Sequence, residues 1–350
     1  MKSIGSLVAL VALLGACSAP ADPTAGGSAS SLSNAAPPHT AADFLASNAR
    51  PVVIGHEGAG ENFGADTTKP INDTVDSVRL AYQQGAAVVE VDAELTKDGQ
   101  VVAYHDFDFL PDYSCINSYT LDELQAKVPY IPSLQAVLNQ ARLANRNSTT
   151  MGGIMIVELK TPSPLCDPGD TSEQALVSAV VKAVHDTQMD NAVMFDGFSP
   201  ALLYLASQAA PNIPRELDLD LLQLMTPAQV TANTGMPVTE IQKNLSLGFQ
   251  WADVGVVYRL PGYTSVTDFF TAAFITGSRI VGVEKDFIGY SEQTQPGSVA
   301  QFVGAAHYYG FKAYADPAKT VQEFGWYASF GFDAAYCDDI PASLALQPPL

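Results

Sequence analysis

The chain is poor in basic side chains. Its 350 residues include 17 lysines and arginines against 37 aspartates and glutamates, for a formal net charge of −20 at pH 7. Proteins that bind nucleic acids neutralise the phosphate backbone with clustered lysine and arginine, so we expect no nucleic-acid partner. The acidic balance still allows an enzyme that handles a single phosphate group at one metal-bearing or locally positive spot.

A hydrophobic run long enough to span a bilayer is also lacking. The N-terminal apolar run reaches only from Leu7 to Leu14, after a positive charge at Lys2, whereas a spanning helix needs about 20 apolar residues. The pattern therefore predicts an export signal. The run ends in LGAC, which resembles a bacterial lipobox and would make Cys17 the acylated N-terminus. We expect a lipoprotein-type signal peptide at 1–17 and a bacterial protein held in the cell envelope by its lipid. A soluble secreted protein cut near the same point is the alternative.

Large apolar side chains are scarce in residues 18–40, which are rich in serine, alanine, glycine and proline. Such a segment cannot bury enough apolar surface to offset the entropy of ordering, so we predict a flexible tether. Beyond it we find neither a second linker nor an internal repeat. The sequence therefore predicts one folded domain over residues 41–350.

Cysteines are few. Three remain after Cys17, namely Cys115, Cys166 and Cys337, and export would place them where disulfides persist. Cys115 and Cys166 each follow a strand-like run, so both would lie in loops at the same ends of their strands, and we expect these two to pair. Cys337 lies in the apolar run DAAYC and is expected to be a buried thiol. The spacings do not fit a cysteine zinc site.

Strand-like and helix-like segments alternate from Arg50 onward. The helices carry capping signals, with Thr120, Ser133, and Thr171 or Ser172 at their starts and a glycine, Gly85, at the end of the first. About eight strand–helix units in about 300 residues favour a closed parallel barrel, the (β/α)8 or TIM barrel, over an open sheet. The segment 215–259 has no clear assignment.

Carboxylates occur in pairs with strand spacing. Glu90 and Asp92 lie two apart in VEVDAEL, and Glu158 and Lys160 lie two apart in VELK, so each pair shares a face of its strand. Barrel enzymes keep their chemistry at the C-terminal ends of the strands. Three carboxylates meeting there would repel one another unless a cation is bound, and oxygen ligands suit Ca²⁺ or Mg²⁺. Lys160 would then face an anionic substrate group.

Two histidines end strand-like runs in the same way, His56 in VVIGHEG and His105 in VVAYHD. A pair of histidines beside a divalent ion can open a phosphodiester, because one accepts a proton and the other donates one. Each piece alone also has a structural interpretation: the E-x-D pair could be a solvated strand face, and Glu158 and Lys160 could simply pair with each other. The order of all these residues at strand ends favours the catalytic interpretation.

The motifs HEG, VEVDAELTKDGQVVAYHD, TLDEL, IPSL and VELK resemble those of the glycerophosphodiester phosphodiesterase family over residues 51 to about 163, and more loosely to the end of the chain. The resemblance implies a TIM barrel that hydrolyses a small phosphodiester to an alcohol and sn-glycerol 3-phosphate. It also implies one divalent cation, Ca²⁺ or Mg²⁺, on the three carboxylates, the two histidines as acid–base pair, and Lys160 at the phosphate. The residues concerned are His56, Glu90, Asp92, His105, Glu158 and Lys160.

The chain departs from the family pattern at three places, one of which is the family's late tryptophan, where the run KAYAD has Asp316. The family's His-Arg is His56-Glu57 here, and its E-N-T aligns with Asn72, Asp73 and Thr74. Glu57 and Glu61 are the candidates for the missing carboxylate. Two alternative functions stay open: a phospholipase of the phospholipase C or sphingomyelinase D kind acting on intact lipid, and a non-catalytic surface lipoprotein that keeps the barrel as a binding scaffold.

Overall fold

A computed structural model gives the structure of the chain over the residues that it describes. These are residues 38–46, 51–64, 66–105, 110, 112, 114–160, 166–167, 169, 171–224, 250–251, 257–258 and 262–347. The predicted signal peptide, with Cys17, lies outside them. Residues Ala36–Leu350 form one compact unit.

Eight parallel strands form a nearly closed barrel. Their order around the sheet is β5-β4-β2-β1-β11-β10-β9-β6, and a bridge between Phe195 and Arg215 links the two ends. The strands are β1 Val52–Gly55, β2 Val88–Leu95, β4 Ile154–Leu159, β5 Val193–Asp196, β6 Glu216–Leu219, β9 Ile280–Glu284, β10 Lys312–Ala318 and β11 Ala334–Cys337. The predicted TIM barrel is confirmed.

Three further strands lie outside the barrel wall. They are β3 Val101–Ala103, which pairs antiparallel with the end of β2, and the two-stranded ribbon of β7 Gln250–Trp251 and β8 Val257–Tyr258. The strand-like run before His105 is thus a strand, and it folds back along β2 as a hairpin arm beside the parallel barrel.

Helices connect the strands around the outside. They are α1 Ala41–Ala46, α2 Val75–Gln84, α3 Leu121–Lys127, α4 Leu134–Asn147, α5 Glu173–Asp186, α6 Pro200–Ala209, α7 Val266–Thr276, α8 Lys285–Thr294, α9 Ser298–Tyr308, α10 Val321–Phe330 and α11 Ile340–Leu344. None of the helices described is long and apolar enough to cross a membrane.

The predicted capping residues do what their chemistry suggests. Thr120 and Glu123 form a reciprocal capping box at the start of α3, and the Ser133 side chain accepts a hydrogen bond from Ala136 N at the start of α4. Gly85 ends α2 with φ of 104°, a backbone conformation that residues with a Cβ rarely adopt. Ser172 precedes α5, but its hydroxyl donates to Asp167 instead of capping the helix.

Two apolar layers enclose the sheet. One lies between strands and helices, and the other fills the lower half of the barrel interior, at the N-terminal ends of the strands. The interior layer contains Val52, Ile54, Val88, Ile154, Ile156, Met194, Ile280, Tyr314, Ala334 and Tyr336, with Ala41 and Phe44 of α1 packed beneath it. The helix α1 therefore closes the bottom of the barrel.

His39, at the end of the predicted tether, contacts the folded domain. It exchanges two hydrogen bonds with Asn145: its backbone N–H donates to Asn145 Oδ1, and its carbonyl accepts from Asn145 Nδ2. Its ring also contacts the carbonyl of Ser148. These contacts hold His39 against the end of α4, while the boundary at 40 stays a prediction.

Arg215 is a buried cation at the bottom of the barrel wall. Its guanidinium donates to four backbone carbonyls, those of Ala210, Ile213, Thr276 and Gly277. These carbonyls lie where α6 and α7 end, and helix C-termini carry unsatisfied carbonyls and partial negative charge. The side chain therefore joins two helix ends to the start of β6, a strand that lies in the unassigned segment 215–259.

Cys115 and Cys166 form a disulfide with their Cα atoms 5.6 Å apart, as the sequence analysis expected. The bridge ties the segment after β3 to the segment after β4. Cys337 is a free thiol within β11, where burial raises its pKa to about 12. The thiol is therefore unreactive in the folded barrel.

Candidate active site

Strands β2 and β4 carry three carboxylates into the barrel. Glu90 and Asp92 point inward because their neighbours Val89 and Val91 pack outward against the helices. Glu158 of β4 lies in register with Asp92. One oxygen from each of the three lies within 4.8 Å of the others, so these residues could hold a metal ion.

The surroundings of Glu90, Asp92 and Glu158 disfavour the ionisation of all three carboxylates at once. Burial is the main cause that raises the pKa of Glu90, followed by repulsion from Asp92. Burial likewise raises the pKa of Glu158 to about 7. Glu90 Oε1 and Asp92 Oδ2 are buried with no hydrogen-bond partner among the described residues. Buried carboxylate oxygens without partners are costly, and all-oxygen donors fit a hard divalent cation.

Lys160 follows β4 and lies against the same carboxylates. Its Nζ is 2.8 Å from Asp92 Oδ1 and 2.9 Å from Glu158 Oε2. The proximity of Lys160 lowers the pKa of Asp92 despite the opposing effect of burial. The structural pairing considered for Glu158 and Lys160 is thus present, and it places the ammonium beside the candidate metal ligands.

His56 follows β1 directly and is oriented by a carboxylate that the sequence analysis missed. Its Nδ1 lies 2.8 Å from Asp338 Oδ1, just after β11, while its Nε2 lies 3.7 Å from Asp316 Oδ1 and 3.9 Å from Glu57 Oε1. Burial alone would lower the pKa of His56, but the three carboxylates outweigh it and raise the pKa well above 6.5. A carboxylate on one ring nitrogen fixes the tautomer and leaves the other free for chemistry.

His105 reaches the mouth from a different direction. The hairpin arm β3 brings it back over the end of β2, so that its Nε2 lies 3.6 Å from Glu57 Oε1. The exposed ring of Phe63 lies beside it, with ring centroids 6.1 Å apart. The structure therefore brings His56 and His105 together on one carboxylate, that of Glu57.

Glu57 is buried at the centre of the mouth. Its backbone has φ of 45°, a left-handed conformation, and its N–H donates to Glu90 Oε2 at 2.8 Å. Burial is the largest cause that raises its pKa. Glu57 Oε2 has no hydrogen-bond partner among the described residues. The residue that replaces the family's arginine is therefore held firmly, with its acid group between the two histidines.

Glu61 lies elsewhere. Its side chain pairs with Lys319 at the rim, and its backbone N–H donates to Asp338 Oδ1 at 3.0 Å. The structure does not bring its carboxylate to the three acids of β2 and β4.

Further carboxylates line the interior, and most were not singled out from the sequence. Asp316 and Asp338 face His56, and Asp73 accepts a hydrogen bond from Asp92 N. Opposite them Asp196, Glu216 and Asp218 are buried, and Tyr336 OH donates to Glu216 Oε2 at 2.7 Å. The signal was available: ELDL of β6 has the same two-residue spacing as VEVD of β2.

Gly282 of β9 makes room for this acidic wall. A Cβ at this position would collide with the carboxylates of Asp218 and Glu216. The glycine therefore marks where two side chains of β6 lie across the neighbouring strand.

Comparison with solved structures supports the fold. A glycerophosphodiester phosphodiesterase of Parabacteroides distasonis matches with a TM-score of 0.57 at 15% identity, over 86% of this chain and 98% of that one. A phosphodiesterase of Oleispira antarctica, solved in complex with the product sn-glycerol-3-phosphate, matches with a TM-score of 0.55 at 20% identity, over 85% and 96% of the two chains. At these identities the likeness shows a shared barrel.

Curated relatives match over a short segment. Glycerophosphocholine phosphodiesterases of Eremothecium gossypii and Candida albicans are each 45% identical over 56 residues, 16% of this chain. The matched segment is 4% and 5% of those proteins. The family model described as glycerophosphoryl diester phosphodiesterase matches residues 56–342, nearly the whole barrel. The chain belongs to the glycerophosphoryl diester phosphodiesterase family.

Proposed function

We propose that the chain hydrolyses small glycerophosphodiesters to an alcohol and sn-glycerol 3-phosphate, with one divalent cation on Glu90, Asp92 and Glu158. The observation that carries this proposal is the meeting of His56 and His105 at one mouth, beside three carboxylates that could hold a metal ion. The relatives that act on glycerophosphocholine support a glycerophosphodiester substrate, as does the product bound in the Oleispira structure.

The residues divide the chemistry between them. One histidine accepts a proton of the attacking water as the new P–O bond forms, and the other donates a proton to the leaving oxygen as the old bond breaks. Asp338 orients His56 through Nδ1. Lys160 offers its ammonium to a phosphoryl oxygen from beside the carboxylates. When bound, the cation supplies neutralisation of the charge that develops on the phosphoryl oxygens.

Ca²⁺ and Mg²⁺ are the ions proposed for the three-carboxylate group. Both bind oxygen donors, and the group offers no nitrogen or sulfur. The two buried oxygens without partners, on Glu90 and Asp92, are the positions where an ion would replace missing hydrogen bonds.

We also propose that the protein is bacterial, exported and lipid-anchored through Cys17. The support is the sequence alone: a charged start, a short apolar run and LGAC before the polar stretch 18–40. Labelling with a radioactive or clickable fatty acid tests this. Incorporation that Cys17→Ala abolishes supports the anchor, and export without any label would instead support the soluble secreted form.

The decisive test is release of sn-glycerol 3-phosphate from glycerophosphocholine by residues 36–350. Turnover that EDTA stops and Ca²⁺ or Mg²⁺ restores supports the proposal. Glu90→Gln should abolish it, while Asp190→Asn, a matched change at an exposed carboxylate paired with His185, should not.

A parallel reaction on phosphatidylcholine and sphingomyelin vesicles separates the alternatives. Cleavage of the vesicle lipid with no turnover of glycerophosphocholine would replace the proposal with a phospholipase. Binding of glycerophosphocholine without turnover in any metal would replace it with a ligand-binding scaffold.

A further inference from the structure

A second group of potential metal ligands lies beside the first. It consists of Glu57, Asp92 and His105, and one ligand atom from each lies within 4.8 Å of the others. Ligand atoms on opposite sides of an ion, at about 2.1 to 2.4 Å each, are about 4.2 to 4.8 Å apart. The three side chains can therefore surround one ion from where they stand.

Two oxygens of this group have unmet bonding capacity. Glu57 is 2% exposed and Asp92 is 1% exposed, yet Glu57 Oε2 and Asp92 Oδ2 have no hydrogen-bond partner among the described residues. A charged carboxylate oxygen that is buried without a partner is unfavourable. A cation between them would satisfy both, and Asp92, which belongs to both groups, would bridge the two ions through Oδ2, because its Oδ1 lies 2.8 Å from Lys160 Nζ.

The negative charge of the substrate also favours a cation beside Glu57. A phosphodiester anion entering the mouth meets Glu57 between the two histidines, with Asp316 3.7 Å from His56 on the far side. Like charges in a water-poor site repel strongly. Glu57 with a divalent ion has a net formal charge of +1, equal to that of the arginine that the family pattern has at this position. The ion would therefore turn an obstacle to phosphate binding into a contact.

We propose that Glu57, Asp92 and His105 hold a second divalent cation, a first-row transition ion such as Mn²⁺, beside the Ca²⁺ or Mg²⁺ of the three-carboxylate group. The imidazole nitrogen distinguishes the two sites, because nitrogen donors favour transition ions whereas all-oxygen sets favour hard ions. Two ions held through a shared carboxylate would together neutralise charge that develops on a bound phosphoryl group.

This inference rests on the proposed function for its catalytic meaning and changes the role of one residue. In the two-ion state His105 is a ligand, so proton transfer is left to His56. The His56 ring donates its proton to the leaving oxygen as the old P–O bond breaks, and the attacking water returns a proton to the ring as the new P–O bond forms.

The test measures ions bound per chain. Residues 36–350 are stripped with a chelator, dialysed against excess Ca²⁺ with added Mn²⁺, and analysed by elemental mass spectrometry. We expect one Ca²⁺ and one Mn²⁺ per chain. Glu57→Gln and His105→Ala should each lose the Mn²⁺ and keep the Ca²⁺, with the Mn²⁺ affinity reduced more than about 100-fold, since even outer-shell changes cost up to about that much. Glu158→Gln should lose Ca²⁺ and keep Mn²⁺.

A spectroscopic measurement on the unaltered protein guards against variants that fail to fold. Mn²⁺ in the second site should show ¹⁴N modulation of the electron spin echo from the His105 imidazole, which an all-oxygen site cannot give. A single ion per chain with no ¹⁴N modulation would overturn the proposal, and so would Mn²⁺ retained in both Glu57→Gln and His105→Ala.

Failure of this inference is distinguishable from failure of the proposed function. One bound ion together with metal-dependent release of sn-glycerol 3-phosphate leaves the one-ion enzyme intact and makes Glu57 an ion-pair partner of the two histidines. No turnover with two ions bound would contradict the proposed function and leave the second site in place.

Discussion

The upper and lower halves of the barrel interior are built from the same strands but from opposite kinds of side chain. Along β2 the inward residues are Val88 below and then Glu90 and Asp92 above; along β4 they are Ile154 and Ile156 below and Glu158 above. The lower half is apolar and sealed by α1, whereas the upper half contains carboxylates with raised pKa values. Stability and chemistry are thus separated along β2 and β4, with the change occurring within one or two residues.

The largest effect is expected from the upper half. His56→Ala should lower kcat by about 10² to 10⁴, the usual contribution of one acid–base group, while leaving the melting temperature close to that of the parent. Turnover of glycerophosphocholine and a thermal melt measure the two properties. His185→Ala, at an exposed histidine on α5, is the matched control. A His56→Ala protein with full turnover would remove this histidine from the mechanism.

A substitution in the lower half should have the opposite effect, a loss of stability without a loss of turnover. Ile154→Ala removes a fully buried side chain from the apolar layer and should reduce the free energy of unfolding by about 2 to 5 kcal/mol. Turnover per folded molecule should not change. Ile275→Ala, at a position 59% exposed, should have little effect on stability. Urea unfolding measures both, and a loss of turnover in folded Ile154→Ala would show that the two halves are coupled.

The contact between Asp338 and His56 links the last barrel strand to the first. Asp338→Asn keeps the shape of the side chain but weakens its hydrogen bond to His56 Nδ1. The value of kcat should therefore fall by about 10- to 100-fold at unchanged KM. Asp338→Glu should recover part of the loss. The NMR signals of the His56 ring report its tautomer, and an unchanged tautomer in Asp338→Asn would contradict the orienting role.

Arg215 is the polar exception at the bottom of the barrel. Arg215→Met would leave the carbonyls of two helix ends without their donor, at a cost of about 1 to 3 kcal/mol in the free energy of unfolding. Arg79→Met, at an exposed arginine paired with Asp76, controls for the loss of charge. Equal stability of the two variants would show that the helix-end contacts contribute nothing.

The smallest effect concerns Asp167, beside the disulfide. Burial favours its neutral form, but hydrogen bonds from Thr171 and Ser172 outweigh burial and lower its pKa below 3.8. Because the pKa is lower in the folded protein than in the unfolded chain, the ionised carboxylate stabilises the fold above the unfolded pKa. This stabilisation is lost as the pH falls through the folded pKa. Asp167→Asn should therefore be less stable by about 1 kcal/mol at pH 7.

The same difference should disappear in acid. Melting both proteins from pH 7 down through 3.8 and below checks this. A difference that stays constant over the whole range would assign it to packing instead of charge.

Local patterns predicted much of this molecule. The barrel followed from strand–helix alternation, the helix ends at Thr120, Ser133 and Gly85 from capping chemistry, and the meeting of Glu90, Asp92 and Glu158 from strand spacing. These predictions succeeded because each depends on residues that lie close together in the sequence.

Contacts between residues far apart in the sequence could not be predicted from such local patterns. Asp338 lies 282 positions from His56, and only closure of the barrel makes them neighbours. Strand β6 escaped notice because ELDL has two acids in four residues, and such composition resembles a loop unless the barrel interior is known to be acidic.

The position of α1 has a consequence for how the barrel meets its surroundings. Because α1 closes the end opposite the mouth, whatever precedes Pro38 joins the barrel at its base. Any attachment through the chain that precedes residue 38 therefore leaves the mouth at the opposite end, where dissolved substrates can enter.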